Sequence, residues 1–132
     1  MNNKKLGNDF ETTFCEMLFE NGFWVHNLAQ NQAGQPADVI AARNGKAHLI
    51  DCKVCSKRGF ALSRIEDNQD LSMNLWGKCG NGEGWFALLF EEQVYMIQHY
   101  EMLMFEERFS TINGEVIRQF GKPLEEWMVM CK

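Results

Sequence analysis

Residues 37–53, ADVIAARNGKAHLIDCK, decide how this chain folds. Two runs rich in apolar and β-branched residues, 37–43 and 46–54, flank Asn44-Gly45. That dipeptide suits a two-residue type I′ turn, whose positions both need φ > 0. The stretch therefore predicts a β-hairpin, and the turn sets its register. With Asn44 and Gly45 as the loop, Arg43 faces Lys46, and counting outward brings Asp38 opposite Asp51. Opposed residues share a face of the sheet, with Cβ atoms roughly 4.5–5.5 Å apart. Lys53, two residues past Asp51, lies on the same face because side chains alternate along a strand.

Two facing carboxylates repel, which costs stability unless something compensates. A divalent cation between them compensates, since hard cations choose carboxylate oxygens. A lysine beside such a metal can orient or deprotonate a water, or neutralise charge developing on a phosphate. The plainer reading is a solvated hairpin whose charges keep a sheet edge soluble.

Upstream, residues 8–21 read as a helix. Asn8 suits its N-cap, and Glu11 three residues later completes a capping-box pattern. Phe10, Phe14, Met17 and Leu18 follow at the spacing of a buried face, and Asn21-Gly22 supplies the stop. Glu11 lies on the border of that apolar stripe, so it serves either the cap or a site at the core's edge. A short strand over 23–28 follows, then a polar loop over 29–36 that ends in Gly34, Gln35 and Pro36. Pro36 restricts Gln35 to an extended conformation, which helps launch the hairpin.

Downstream, Ser56-Lys57-Arg58-Gly59 forms a basic turn that suits either a phosphate backbone or plain solvent. A second helix starts at Ser63, with Glu66 completing a capping box, and runs to about Trp76. Ile65, Gln69, Met73 and Trp76 share one face of it. Gln69 is an amide on a face that should pack, so it bonds backbone or points into the site. Asp67 and Asp70 fall outside that face and read as solvated. Residues 77–84 read as a mobile loop, with Lys78 a candidate DNA contact. It is not a phosphate-binding Walker loop, which needs Gly-Lys-Ser/Thr opening a helix. Trp85–Phe90 and Gln93–Gln98 read as a strand pair around Glu91-Glu92. A helix over 100–107 is apolar enough to be either core or a partner surface. A turn at Asn113-Gly114 and a short helix after Pro123 complete the chain.

At 132 residues this is one domain with room for a real core, its main part over about 7–98 and a helical extension over about 99–132. Hydrophobic residues at 45% exclude disorder, and the longest strong apolar run, Trp85–Phe90, is far short of a membrane span. No signal-peptide pattern follows the polar start, so a cytoplasmic location is expected, in a bacterial or phage-infected cell. Five cysteines at irregular spacing imply reduced thiols, and Cys52-x-x-Cys55 on a strand should point its two thiols to opposite faces. The net charge of −5 arises wholly after residue 82, where four Lys/Arg meet nine Asp/Glu. The half with the hairpin balances, nine against nine, leaving Lys4, Lys5, Lys57, Arg58, Arg64 and Lys78 available to phosphates.

The order is helix with Glu, strand, strand with Asp, strand with Asp-x-Lys, helix with Gln, then two strands. It resembles the PD-(D/E)XK nuclease superfamily through Pro36-Ala37-Asp38 and Asp51-Cys52-Lys53, the second in its Asp form. Within it the chain is most similar to Holliday junction resolvases of the archaeal Hjc and bacterial RecU types. Gly7-Asn8-Asp9-Phe10-Glu11 opens the first helix, and Phe60-Ala61-Leu62 leads to the helix with Gln69. The loop at 29–36 is too short for the protruding stalk of RecU-type enzymes.

The resemblance implies an α/β, restriction-endonuclease-like fold, with a mixed sheet of about five strands flanked by helices in αβββαβ order. It implies a structure-selective DNA endonuclease and homodimer that hydrolyses phosphodiester bonds in branched DNA. Asp38, Asp51, Glu11 and the Cys52 carbonyl would hold Mg²⁺ or Mn²⁺, Lys53 would orient and help deprotonate the water, and Gln69 would support it. The other readings are a superfamily nuclease acting on flaps, ends or a specific sequence, and a non-catalytic DNA-binding module of the same fold.

Overall fold

Asn44 and Gly45 take φ of 55° and 79° in the computed structural model, so the hairpin turn forms where the dipeptide predicts it. The structure describes residues 3–28 and 37–131, with side chains from residue 6. The loop at 29–36 with Gln35 and Pro36, and the side chains of Lys4 and Lys5, lie outside the described residues. In chain order the elements are α1 (Asn3–Glu20), β1 (Trp24–Asn27), β2 (Val39–Arg43), β3 (Lys46–Val54) and β4 (Phe60–Ala61). Next come α2 (Asp67–Trp76), β5 (Trp85–Phe90), β6 (Gln93–Gln98) and α3 (His99–Glu106). The tail adds β7 (Thr111–Ile112), α4 (Gly114–Phe120), β8 (Lys122–Pro123) and α5 (Leu124–Met130).

The main sheet is mixed, with six strands in the order β1-β2-β3-β5-β6-β8. Only β3 and β5 pair in parallel, and the crossover that this requires carries β4 and α2. The sixth strand, beyond the five expected, is the two-residue β8 from the tail. A separate ladder joins β4 to β7. In the hairpin Arg43 pairs with Lys46 and Val39 with Ile50, which is the predicted register.

Side-chain alternation divides the core in two. Leu49, Phe86 and Ile97 pack under α2, α3 and α4, with Met73, Met102, Phe105 and Ile117. Val39, Ile50, Ala87 and Met96 pack under α1 and α5, with Phe14, Leu18 and Trp127. Burying each large apolar side chain of this kind is worth roughly 1.5–3 kcal/mol. Cys52 belongs to the second side and Cys55 to the first, the opposite facing that a strand dictates. Arg43 ties the hairpin to the helices, donating to the carbonyls of Asn21 and Met128 with its guanidinium 4.1 Å from the Phe23 ring centre. Helix α3 is half core and half surface: Met102 and Phe105 are buried, Leu103 and Met104 exposed. Among the described residues no helix is long and apolar enough to cross a membrane.

Four local expectations change. Helix α1 starts at Asn3 rather than Asn8, because its first turns continue through Asn8, which lies mid-helix and exposed. The second helix starts three residues late. Leu62–Arg64 is a 3₁₀ turn, Ile65 is extended (ψ 117°), and the capping box is Glu66 with Gln69. Burying Ile65 beside Leu62 requires that break. Residues 77–81 wind on from α2 as a single π-type turn instead of a free loop. Asn113-Gly114 is no turn, for the Asn113 side chain accepts from the Val116 N–H at 3.0 Å and caps α4.

Candidate active site

The register that faces Asp38 with Asp51 puts both at the end of the sheet where β3 leaves the hairpin. Asp38 is held on each side, donating its N–H to the Ile50 carbonyl (3.2 Å) and accepting at its own carbonyl from the Leu28 N–H (2.8 Å). Its Oδ2 accepts from the Cys52 N–H at 2.7 Å, a charge-assisted bond across the hairpin. Asp51 is fully buried. Its Oδ1 accepts from Gln69 Nε2 at 3.1 Å, and its Oδ2 lies 3.2 Å from Lys53 Nζ. Lys53 is therefore the counter-ion of a carboxyl that is sealed from water.

Gln69 does two jobs. Its Oε1 accepts from the Glu66 N–H at 3.0 Å, closing the first turn of α2, while its Nε2 holds Asp51. Both ends of the amide are used, which explains a buried amide on a packing face. Glu11 comes from the other side of the sheet. It follows Phe10 on the buried flank of α1, is 7% exposed, and shares a hydrogen bond with Asp38. A residue nine positions into the helix cannot cap it, so the capping alternative for Glu11 falls.

Three carboxyls and one ammonium meet in little water, and the crowding shifts two of the carboxyls. Burial and then the nearby Asp38 push Glu11 up to about 7. Burial and Asp38 also hold Asp51 well above the usual carboxylate range, against the pull of Lys53. Burial raises the thiols of Cys15, to about 11, and of Cys52, which makes them poor nucleophiles.

A hard divalent cation fits this donor set. It would relieve the repulsion among the facing carboxyls. Among the described residues no three acidic, histidine or cysteine side chains close on one ion position. Two carboxylates with waters are the usual complement for Mg²⁺.

The basic residues spread more widely. Lys57 and Arg58 are exposed on a tight turn just past Lys53, in which Ser56 and Gly59 exchange backbone bonds of 3.1 and 3.0 Å. Gly59 (φ 110°) lies against the backbone of Ile112 and Asn113, so the tail fixes this turn. A cleft of about 550 Å³ between Leu6, Val54, Ser56 and Arg64 opens beside it. Arg64 is exposed, but one of its nitrogens donates to the Val54 carbonyl at 2.7 Å. Lys78 is exposed nine residues beyond Gln69, ~13 Å along the helix direction. Asp70 is not solvated as expected. Its Oδ1 lies 2.8 Å from Nε2 of buried His99, which ties α2 to α3. A histidine opening a helix, 29 residues away, offered no pattern from which to read that pair.

The chain matches the family model of the archaeal Holliday junction resolvase (Hjc) over residues 2–131. No curated protein sequence matches it. Among solved structures it is similar to Archaeoglobus fulgidus Hjc, a Holliday junction resolvase from an archaeal hyperthermophile. The TM-score is 0.72 at 16% identity, over 94% of this chain and 99% of the other. An archaeal family gives the expected bacterial or phage host no support.

Proposed function

Since the chain belongs to the archaeal Holliday junction resolvase (Hjc) family and is a structure-selective DNA endonuclease, we propose that it cuts with a divalent cation held by Asp38 and Asp51. The observation that carries this is the fully buried carboxyl of Asp51 facing Asp38 across the hairpin, with Glu11 beside them. Asp38 and Asp51, with the Cys52 carbonyl, would hold Mg²⁺ or Mn²⁺, and Glu11 would reach the ion through a water. Bound there, such a cation would supply Lewis-acid polarisation of the scissile phosphate and stabilisation of the leaving oxygen.

The chain's own groups do the rest. The Cys52 N–H and the Gln69 amide fix the two carboxylates in place before any ligand arrives. Lys53, 3.2 Å from Asp51 and 13% exposed, orients the attacking water and, as an ammonium, favours the loss of that water's proton to solvent. Lys57 and Arg58 meet the DNA backbone where it leaves the site. Two copies act together as a homodimer on the branched DNA.

The test is cutting of a four-way junction, a flap and linear duplex with Mg²⁺, with Mn²⁺ and with chelator. Junction cutting should vanish in chelator and return with either metal. Asp38→Asn and Lys53→Ala should each abolish cutting and leave junction binding largely intact. Cutting in chelator, or by either variant at the wild-type rate, overturns the assignment.

A further inference from the structure

Strand β1 closes one edge of the main sheet, and it carries an aromatic pair that the site does not use. Trp24 and His26 stack with ring centres 6.2 Å apart and planes within 15°. Trp24 is 62% exposed, on a strand position where edges ordinarily show charge or proline. The pairing decides which face they occupy. Trp24 sits opposite Ala42 and His26 opposite Ile40, which in turn face Ala47 and Leu49. Directly opposed residues share a face, and two more steps along β3 on that face lead to Asp51 and Lys53. The aromatic pair and the carboxylates therefore stand on one side of one sheet. Ala42 lies four residues from Asp38, so Trp24 is ~13 Å along the strands from the carboxylates. That span equals about four nucleotides at the 3.4 Å rise of a strand.

We propose that Trp24, backed by His26, is a stacking platform for an unpaired nucleobase at the branch point of the DNA. Every base offers a π face, so such a platform ignores sequence and discriminates unstacked from fully paired DNA. It supplies junction selectivity without charge, in a chain whose net charge of −5 limits what phosphate contacts can do. Continuity with the carboxylate face of the same sheet is what assigns the occupant. The proposal rests on the nuclease reading above.

The experiment uses a four-way junction with 2-aminopurine at the branch point, bound in chelator so that nothing is cut. Wild type should quench its fluorescence. Trp24→Ala should abolish the quench and weaken junction binding about tenfold, with affinity for linear duplex unchanged. Trp24→Phe should retain most of both effects. Trp24→Leu, which keeps apolar bulk without a π face, should behave like Trp24→Ala. Unchanged junction affinity in the Ala and Leu variants, equal losses on junction and duplex, or a change of oligomeric mass on substitution would each overturn the platform. Wild-type cutting in Mg²⁺ keeps the two readings apart. If wild type cuts and the variants bind like it, only the platform fails.

Discussion

Glu11 is a carboxyl that the fold keeps protonated up to about pH 7, through burial and the Asp38 carboxyl beside it. Between about pH 4.5 and 7 the unfolded chain releases that proton while the folded chain holds it. The metal-free protein therefore loses stability as pH rises through this window. Asp51, also raised, acts in the same direction; His48, lowered by burial, acts in the opposite one near its ordinary pKa. Glu11→Gln isolates one contribution, since its amide can still donate to Asp38. Thermal melts in chelator should show the variant equal to wild type below about pH 4.5. At pH 8 it should be more stable by something on the order of 1 kcal/mol. The same variant should need more Mg²⁺ for junction cutting. A lower melting temperature for the variant at pH 8 would show that Glu11 is not strained there. The Asp38, Asp51 and Lys53 positions were legible from sequence because a two-residue turn leaves the register no freedom. Glu11 was legible only as a choice between cap and site. The choice turned on where α1 begins, and the polar residues at its start carry no apolar pattern to mark it.

Helix α2 and strand β3 meet through one amide, and the two jobs of Gln69 can be separated. Gln69→Glu retains an oxygen for the Glu66 N–H but sets a fourth carboxyl against Asp51. Gln69→Ala loses both bonds and leaves a buried Asp51 oxygen without its donor, a loss of about 1–3 kcal/mol. Both variants should cut far more slowly at limiting Mg²⁺. In the metal-free state the Ala variant should melt lower, and the Glu variant should fall further as pH rises from 5 to 8. Wild-type cutting by either variant would reduce Gln69 to a cap. Elements with a full period were legible in the sequence, as the strands Trp85–Phe90 and Gln93–Gln98 illustrate. Strands β4, β7 and β8 were not, because two residues cannot display alternation. The start of α2 was misplaced because Ser63-x-x-Glu66 satisfies the capping pattern, whereas Glu66-x-x-Gln69 puts a glutamate, not a usual capping residue, at the N-cap. Burial of Ile65, a tertiary fact, selects the second.

Among the described residues each chain offers one carboxylate constellation, while resolving a four-way junction takes a cut in each of two strands. Two symmetric cuts follow naturally from a two-fold dimer, whose identical sites face equivalent strands. The homodimer is our proposal, and its sharpest consequence concerns mixed assemblies. Wild-type and Asp38→Asn chains carrying different tags can be co-purified as a mixed dimer, in which one site is intact. On a junction labelled differently on its two cleavable strands, the mixed dimer should leave one strand cut and the other whole. The wild-type dimer should cut both strands within a single binding event. Sedimentation should give twice the chain mass of 15.3 kDa. If the chain sediments at 15.3 kDa while bound junctions are cut in both strands, each copy works alone and the dimer is wrong. If the mixed dimer cuts both strands, a single site reaches both, and the symmetric arrangement fails even though the dimer stands.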